Sequence, residues 1–566
     1  MSSQAGQTVG IDLGTTFSVV AYLDRSGKPQ TAYNLEGDLS TPSVVYFDVE
    51  EVVVGKEAVK AAVYEPEAII QAVKREMGKP FCDKAIRGAK LPPEVVQAAI
   101  LRKLRHDAAT KLGEVTDAVV TVPAFFNEPR RKATMDAGRL AGLRVRDIIN
   151  EPTAAAIAYG VHAGFVSLSG EARQPETILV YDLGGGTFDV TLMEIEGPRY
   201  TAIATDGDVQ LGGIDWDRRI VDLVADNFRE QHGIDPRKDQ VALQTLMQEA
   251  EDAKRALSTR TSVTIRFAHR DCRAHVSITR EEFEALTSDL LERTIFTVER
   301  LLRSAQRDWN SLTRILLVGG STRMPMVQAA LESTSGMKVD RSMSPDEAVA
   351  HGAALFAAFL DQGGRANDRS LAVKNVNSHD LGVLGVEKET GMNRRRIMIP
   401  RNTTLPARSK SKFVTHRDNQ QRVVVHVIEG GDDSGNNATA IGKCVVTNLP
   451  PNLPAKSPVI VQFFYGNNGR LSVKASLPDV GNESSVTIER ASGMSEDALQ
   501  QWEERIARGQ FIVTPAAASP QSDAVATPPA GSAPREESTL AQSMEFDAPH
   551  VFEDDEDSEV FSDLDF

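Results

Sequence analysis

One local pattern occurs twice in this chain, and it restricts the fold more than anything else. Val9–Asp12 leads through Gly14, Thr15 and Thr16 into Ser18–Tyr22, and Ile178–Asp182 leads through Gly184, Gly185, Gly186 and Thr187 into Phe188–Leu192. Both copies read strand, Asp, Gly/Thr turn, strand. A strand–turn–helix unit follows each, at Val119–Pro123 and at Leu316–Gly320. After these come two proline-started helices, at Glu151-Pro152 and Ser344-Pro345. Three elements repeated in one order predict two similar lobes facing a cleft. Across residues 8–361 short apolar runs alternate with helical patterns, which predicts α/β layering.

The chemistry of such a device follows from its residue types. Glycines allow a tight hairpin to bring backbone N–H groups close to phosphate oxygens, and threonine hydroxyls add donors. An Asp at each strand end can hold hydrated Mg²⁺, a cation that prefers hard oxygen ligands and keeps several waters. Two opposed hairpins would clamp a triphosphate. A single Gly-Thr turn after a strand is ordinarily just a hairpin, so the argument rests on the matched pair. No GxxxxGK[ST] motif occurs, which excludes a P-loop enzyme.

After residue 361 the character changes. Gly363–Arg369 is polar and glycine-rich, a linker signal. Val423–Ile428 then alternates at period two, and Gly466–Gly469 separates two apolar runs as a hairpin turn would, so 376–490 reads as all-β. Ser495 is placed to cap a helix carrying Leu499, Trp502 and Ile506 on one face, with Gly509 past its end. From Thr514 onward there are 13 acidic residues and one basic, Arg535, a net −12 of the chain's −16. The body is thus almost neutral and lacks the basic surplus of a nucleic-acid binder. The tail is expected to be disordered, its Phe546, Phe552, Phe561 and Phe566 serving as partner contacts or its acids simply as a solubilising charge. No run approaches the roughly 20 apolar residues of a membrane span. No basic-then-apolar leader follows Met1, and Cys82, Cys272 and Cys444 are too far apart for a metal knuckle, so a cytoplasmic setting is expected.

Glu251, Lys254, Arg255 and Ser258 share one helix face at i, i+3, i+4, i+7. Taken alone, that face reads as solvated and paired by helical ion pairs.

At these residues the sequence resembles the DnaK-type 70-kDa heat-shock chaperone family. The resemblance is carried by Asp12-Leu-Gly-Thr-Thr16, Val122-Pro-Ala-Phe-Phe-Asn127, Ile149-Asn-Glu-Pro-Thr153, Asp182-Leu-Gly-Gly-Gly-Thr-Phe-Asp189, Leu211-Gly-Gly213 and Val318-Gly-Gly-Ser-Thr-Arg-Met-Pro325. It is close over 8–360, weaker over 376–508 and absent beyond. It implies an α/β actin-like two-lobed ATPase domain at 1–362 and a linker at 363–377. An all-β peptide-binding sandwich would follow at 378–494, then a shortened lid helix at 495–509 and a disordered acidic tail at 510–566. By the same resemblance Asp12 and Asp182 hold Mg²⁺ through water, and Gly14, Thr15, Thr16, Gly184, Gly185, Gly186 and Thr187 line the phosphates. Lys74, Glu151 and Asp189, with Thr187, surround the attacking water. Gly213, Glu251, Lys254, Arg255, Ser258, Gly319, Gly320, Ser321, Arg323 and Asp346 form the nucleoside side, against the solvated-face reading. Val386, His416, Val423 and Val425 match a peptide groove, although strand valines are more often core. Pro123 and Arg131 match a relay between the domains. ATP and Mg²⁺, with K⁺ as a further candidate, are the implied cofactors. The implied partners are unfolded or extended polypeptides, J-domain proteins and nucleotide-exchange factors, with no nucleic acid and no membrane.

Three departures qualify the resemblance. The chain between Lys74 and Pro123 is shorter than in typical members. The family's apolar linker ends in an acid, whereas Ala372-Val373-Lys374-Asn375 lacks the acid and carries a lysine, which puts domain coupling in question. The lid is cut to one helix, so bound peptide should exchange faster, and Arg394–Arg396 marks either a preference for acidic clients or a solvated turn. The leading reading is an ATP-dependent chaperone whose hydrolysis modulates peptide affinity. The alternatives are an ATP-binding regulatory scaffold dedicated to one or few partners and, more remotely, a small-molecule kinase.

Overall fold

The computed structural model describes residues 7–165, 174–361, 371–386, 392–447, 449–478, 489–490, 493–512 and 559–561. Its first sheet contains β1 (Gln7–Leu13), β2 (Phe17–Leu23), β3 (Pro29–Thr31), β4 (Val115–Val122) and β5 (Arg144–Asn150), in the order β5-β4-β1-β2-β3. The second contains β6 (Glu176–Leu183), β7 (Phe188–Glu196), β8 (Arg199–Asp208), β9 (Arg314–Val318) and β10 (Ala372–Lys374), in the order β9-β6-β7-β8-β10. The repeat seen in the sequence is therefore a repeat of topology. In each sheet the Asp-bearing strand pairs antiparallel with the strand after the glycine turn and parallel with the strand of the later unit.

Two helices pack between the sheets at backbone distance. These are α3 (Glu151–His162), which follows α1 (Pro93–Leu112) and α2 (Glu128–Leu140), and α6 (Ala348–Asp361), which follows α4 (Gly213–His232) and α5 (Gln240–Leu257). A Cβ on Gly352 of α6 would stand 1.8 Å from the Ala154 carbonyl oxygen of α3, and one on Gly10 of β1 would stand 2.2 Å from the Ala354 nitrogen. The second proline does not start its helix as expected. Pro345–Glu347 form a turn, and α6 begins at Ala348.

The all-β half is a sandwich of β11 (Leu381–Val386), β12 (Asn393–Ile399), β13 (Ala407–Val414), β14 (Val423–Gly430), β15 (Ala438–Val446), β16 (Pro458–Tyr465), β17 (Leu471–Ser476) and β18 (Glu489–Arg490). One sheet runs β12-β11-β14-β15-β18. The other runs β17-β16-β13 and is completed by β19 (Glu559–Phe561). The expected hairpin joins β16 to β17, with Gly469 at φ +70.

The linker docks despite its missing acid. Ala372–Lys374 adds to the second sheet as β10, parallel to β8, with Ala372 opposite Arg199 and Lys374 opposite Thr201. The contact is a backbone ladder, so it is indifferent to side-chain charge, and Lys374 points to solvent. Asn375, standing next to it, accepts a hydrogen bond from the Thr153 hydroxyl at 3.0 Å.

The helix expected at 495–509, α7 (Glu496–Ala507), is capped by Ser495, whose Oγ accepts from the Ala498 N–H, as the sequence predicts. Leu499 and Ile506, 1% and 2% exposed, enter the core of the first lobe beside α1 and α2. Arg139 of α2 pairs with both Glu496 and Glu503. The expectation of disorder from residue 510 fails at its first residues, because Phe511 is buried in that same core under the Arg102 guanidinium. Apart from 510–512 and 559–561, the tail lies outside the described residues.

A helix of this length is marginal by itself, so its order depends on those two side chains. Leu499→Ala with Ile506→Ala removes contacts worth about 2–5 kcal/mol each in a core. Amide exchange should accelerate across 496–507 and Trp502 emission should shift to the red, while strands β1–β9 keep their protection; unchanged exchange in 496–507 would contradict the docking.

Candidate functional site

The two glycine hairpins touch. A Cβ on Gly185 would lie 2.3 Å from Thr16 Oγ1, and one on Gly186 would lie 2.3 Å from Thr15 Cγ2. Only glycine permits this approach, and it sets the two threonine hydroxyls against the opposite turn. Gly14 is held by its own hairpin, where a Cβ would fall 2.0 Å from the Phe17 carbonyl oxygen. The second turn is braced from behind. The Gly213 N–H donates to Gly184 O at 3.0 Å, the Ser321 hydroxyl donates to the same oxygen at 2.9 Å, and Arg75 Nε donates to Gly186 O at 2.7 Å. Arg75 also pairs with Asp215 at the start of α4. Gly319, at φ +82, passes so near that a Cβ would meet Asp182 Oδ1 at 2.6 Å.

Below the hairpins lies a buried group of acids. Asp12 and Asp182 occupy equivalent positions on β1 and β6, and Asp189 stands directly opposite Asp182 in the β6–β7 register. Glu151, at the first turn of α3, pairs with Lys74 at 2.5 Å, both side chains being almost wholly buried. Burial, then repulsion from Glu151, pushes the Asp12 carboxyl up to about 7. The same two causes, in the same order, raise Asp189 to about 7. Burial lifts Asp182 well above the usual carboxylate range, with Glu151, Asp189 and Asp12 adding to it. Burial would lower the Lys74 ammonium, but Glu151, Asp12 and Asp182 outweigh it and hold the group more firmly charged. Four carboxylates thus face one ammonium.

That imbalance is the chemical mark of a cation site. Asp189 Oδ2 is buried with no hydrogen-bond partner, while its Oδ1 accepts from the Phe125 N–H at 2.8 Å. Among the described residues no three acidic, histidine or cysteine side chains converge to cage a metal directly. A hydrated Mg²⁺ fits such a site, since it takes one or two carboxylates and keeps its waters.

The face of α5 divides. Arg255 and Glu251 form the helical pair that the solvated-face reading predicts, at 2.5 Å, yet the Arg255 guanidinium also lies 5.2 Å from the Phe17 ring centroid, next to the first hairpin. Lys254 turns inward, donating to Gly213 O at 3.0 Å and Asp217 Oδ2 at 2.8 Å. Ser258 caps α5 and donates to Lys254 O. Arg323 pairs with Asp346 at 2.5 Å on the exposed rim, next to Gly320. Residues from both sheets therefore surround one place, with the acids below and exposed polar groups at the edge. Thr187, buried, completes the second hairpin.

The loop after β4 connects this place to the sandwich. Phe125, whose N–H holds Asp189, packs its ring against His379 at a tilt of 43°, with ring centroids 4.3 Å apart. Arg131 donates to Phe126 O and Ala124 O, at 3.0 and 3.1 Å, stiffening the turn that Pro123 opens, and packs against Gly469 of the β16–β17 hairpin. The Glu128 N–H donates to Glu429 Oε2 of β14 at 2.9 Å. Burial pushes the Glu429 carboxyl up to about 8, and burial, then Arg401, pushes His379 down to about 4. Sequence reading passed over Arg75, Phe125, His379 and Glu429. Of these only Arg75, the neighbour of Lys74, carries a local signal; the others acquire meaning when two distant segments meet.

The four groove candidates separate. Val386 ends β11, His416 lies exposed after β13, and Val423 begins β14, so all three belong to one end of the sandwich. Val423 and Val425 are 0% exposed within its interior. Here they are core, as their alternation alone implies.

Comparison with known proteins agrees with this geometry. The Hsp70 protein family matches residues 8–558, past residue 508 where the motif resemblance stops. The chaperone protein dnaK3 of Thermosynechococcus vestitus is 40% identical over 531 residues, covering 88% of this chain and 75% of that protein. The chaperone protein DnaK of Halobacterium salinarum is 40% identical over 504 residues, covering 88% and 77%. The chaperone protein DnaK 1 of a Synechococcus strain is 40% identical over 526 residues, covering 88% and 68%.

A carboxyl that titrates higher in the folded than in the unfolded chain binds an extra proton when folded. Its stabilising contribution is full below about 4 and is lost as pH rises through about 7. Asp189→Asn keeps an acceptor for the Phe125 N–H and removes one charge from the cluster. Without metal or nucleotide, this variant should lose less melting temperature than the parent between pH 5 and pH 8; equal slopes would show that the acids do not strain the fold.

Proposed function

Because the chain belongs to the Hsp70 family, and because its two glycine hairpins meet above a buried acidic cluster, we propose that it is an ATP-dependent chaperone. ATP hydrolysis would change its grip on extended apolar segments of unfolded proteins. The facing hairpins are the observation that carries this reading. In domain terms, 1–362 is the actin-like two-lobed ATPase, 363–377 the linker, 378–494 the peptide-binding sandwich and 495–509 the shortened lid. Nothing in the comparisons favours a scaffold dedicated to one partner.

Asp12 and Asp182 are the residues that would hold Mg²⁺ through water, and Mg²⁺ when bound supplies charge neutralisation at the phosphates. Gly14, Thr15 and Thr16 on one side, with Gly184, Gly185, Gly186 and Thr187 on the other, present backbone and hydroxyl donors to the phosphate chain. Gly213, Gly319, Gly320, Ser321, Lys254, Arg255, Glu251, Ser258, Arg323 and Asp346 shape the nucleoside side. Glu151 and Asp189 orient the attacking water and accept its proton, while Lys74 offsets negative charge. Phosphoryl transfer requires positioning and charge neutralisation more than a strong base, and this set of residues fits that requirement.

Coupling to the sandwich runs through contacts already described. The Phe125 N–H holds Asp189 while its ring leans on His379, and β10 ties the linker to the second sheet. Pro123 and Arg131 keep that loop rigid. With Val423 and Val425 buried, peptide access near Val386 and His416 requires the sandwich to loosen, which undocking from the ATPase lobes allows. Peptide and nucleotide would then favour different arrangements of one molecule, the condition for reciprocal coupling. J-domain proteins and nucleotide-exchange factors are the partner classes that go with this activity.

Lys74→Ala should retain ATP binding and lose turnover by about 10²–10³-fold, the scale for removing one charge-stabilising group. Parental turnover would overturn the assignment of Lys74. Extended apolar peptides should stimulate the parent, measured as phosphate release, and a single stoichiometric client recovered with no stimulation by any peptide would favour the scaffold instead.

A further inference from the structure

The four-stranded sheet of the sandwich has an open side at β13, and the chain covers it with its own distant end. Glu559–Phe561 lies antiparallel along β13, with Glu559 opposite Lys410, Val560 opposite Ser409 and Phe561 opposite Arg408. Without this segment β13 would be an edge, because the rest of its sheet, β16 and β17, lies on the other side. From these observations we infer that β13 is a strand-addition site for an acidic extended segment, and that its resident occupant is the C-terminal tail of the same chain.

Charge complementarity supports the assignment. The alternation of β13 buries Ala407, Ser409, Ser411 and Phe413 and sends Arg408, Lys410 and Lys412 outward as a basic row. The segment opposite is the most acidic in the sequence, with Glu553–Asp557 just before the paired residues and Asp563 and Asp565 just after. Opposite charges directly across a strand pair are favourable neighbours. Arg408 already lies over the partly exposed Phe464 ring at 5.1 Å.

Tethering makes the pairing intramolecular, so a short ladder that would be weak between separate molecules is occupied at a high effective concentration. Lysines on an edge strand also serve by themselves to discourage aggregation. That simpler account predicts no dependence of the edge on the tail, and the two accounts separate cleanly.

The test compares full-length chains by hydrogen exchange, read at those amides of Arg408–Lys410 that point away from β16. Phe561→Pro removes a ladder donor opposite Arg408 and leaves the tail's charge intact. It should raise exchange there at least about tenfold and nowhere else in the sandwich. Lys410→Glu should also raise it, and Lys410→Glu combined with Glu559→Lys should restore protection. Parental exchange in Phe561→Pro, whether or not high salt accelerates the parent, would overturn strand addition and leave at most diffuse charge attraction. Protection that rises with protein concentration would assign the occupant to the tail of a second copy and overturn the in-cis reading.

Discussion

Everything in this molecule is arranged around an electrostatic imbalance. Asp12, Asp182, Asp189 and Glu151 are buried together, with Lys74 paired to Glu151 among them. Burying like charges opposes folding unless they protonate or find a counter-ion, which explains why the three aspartate carboxyls titrate above their usual range. A chain would keep such a cluster only where something positive is meant to arrive. The acids come from β1, β6, β7 and α3, so the site exists only while both sheets and the helix between them stay in place. The close approach of α3 and α6 at Gly352 is one reason they do.

Symmetry accounts for most of the rest. A duplicated strand–Asp–hairpin unit brings two glycine turns to the same place from opposite sides, and glycine lets them approach to contact. The duplication breaks where function requires difference. Arg75 crosses from the first lobe to brace the second hairpin, and α5 sends Lys254 to Gly213 and Asp217 at the start of α4 while its neighbour Arg255 reaches towards Phe17 of the first hairpin. The sandwich and α7 then attach to the faces that this core leaves available. α7 packs on the first lobe beside α1 and α2, and Ala372–Lys374 extends the second sheet by one strand.

The missing linker acid puts domain coupling in question but leaves the backbone pairing of Ala372–Lys374 intact. β10 forms because strand addition recruits N–H and C=O groups that every residue except proline supplies. Val423 and Val425, which the resemblance offers as groove lining, alternate along β14 and are buried in the sandwich.

Whatever depends on residue type at short range could be read from the chain alone. The paired hairpins, the acids at the strand ends, the α/β-to-β transition, the Gly466–Gly469 turn and the Ser495 cap are all of this kind, because their causes act over a few residues. What needed the folded molecule was every contact between segments remote in sequence. The Phe125 link from Asp189 to His379, the clamp by Arg75, the burial of Glu429 and Phe511 and the return of the tail to β13 are of that second kind. Each joins groups that are unremarkable where they stand in the sequence. They acquire their shifted titration or their partner only from the low-dielectric, close-packed surroundings that folding creates.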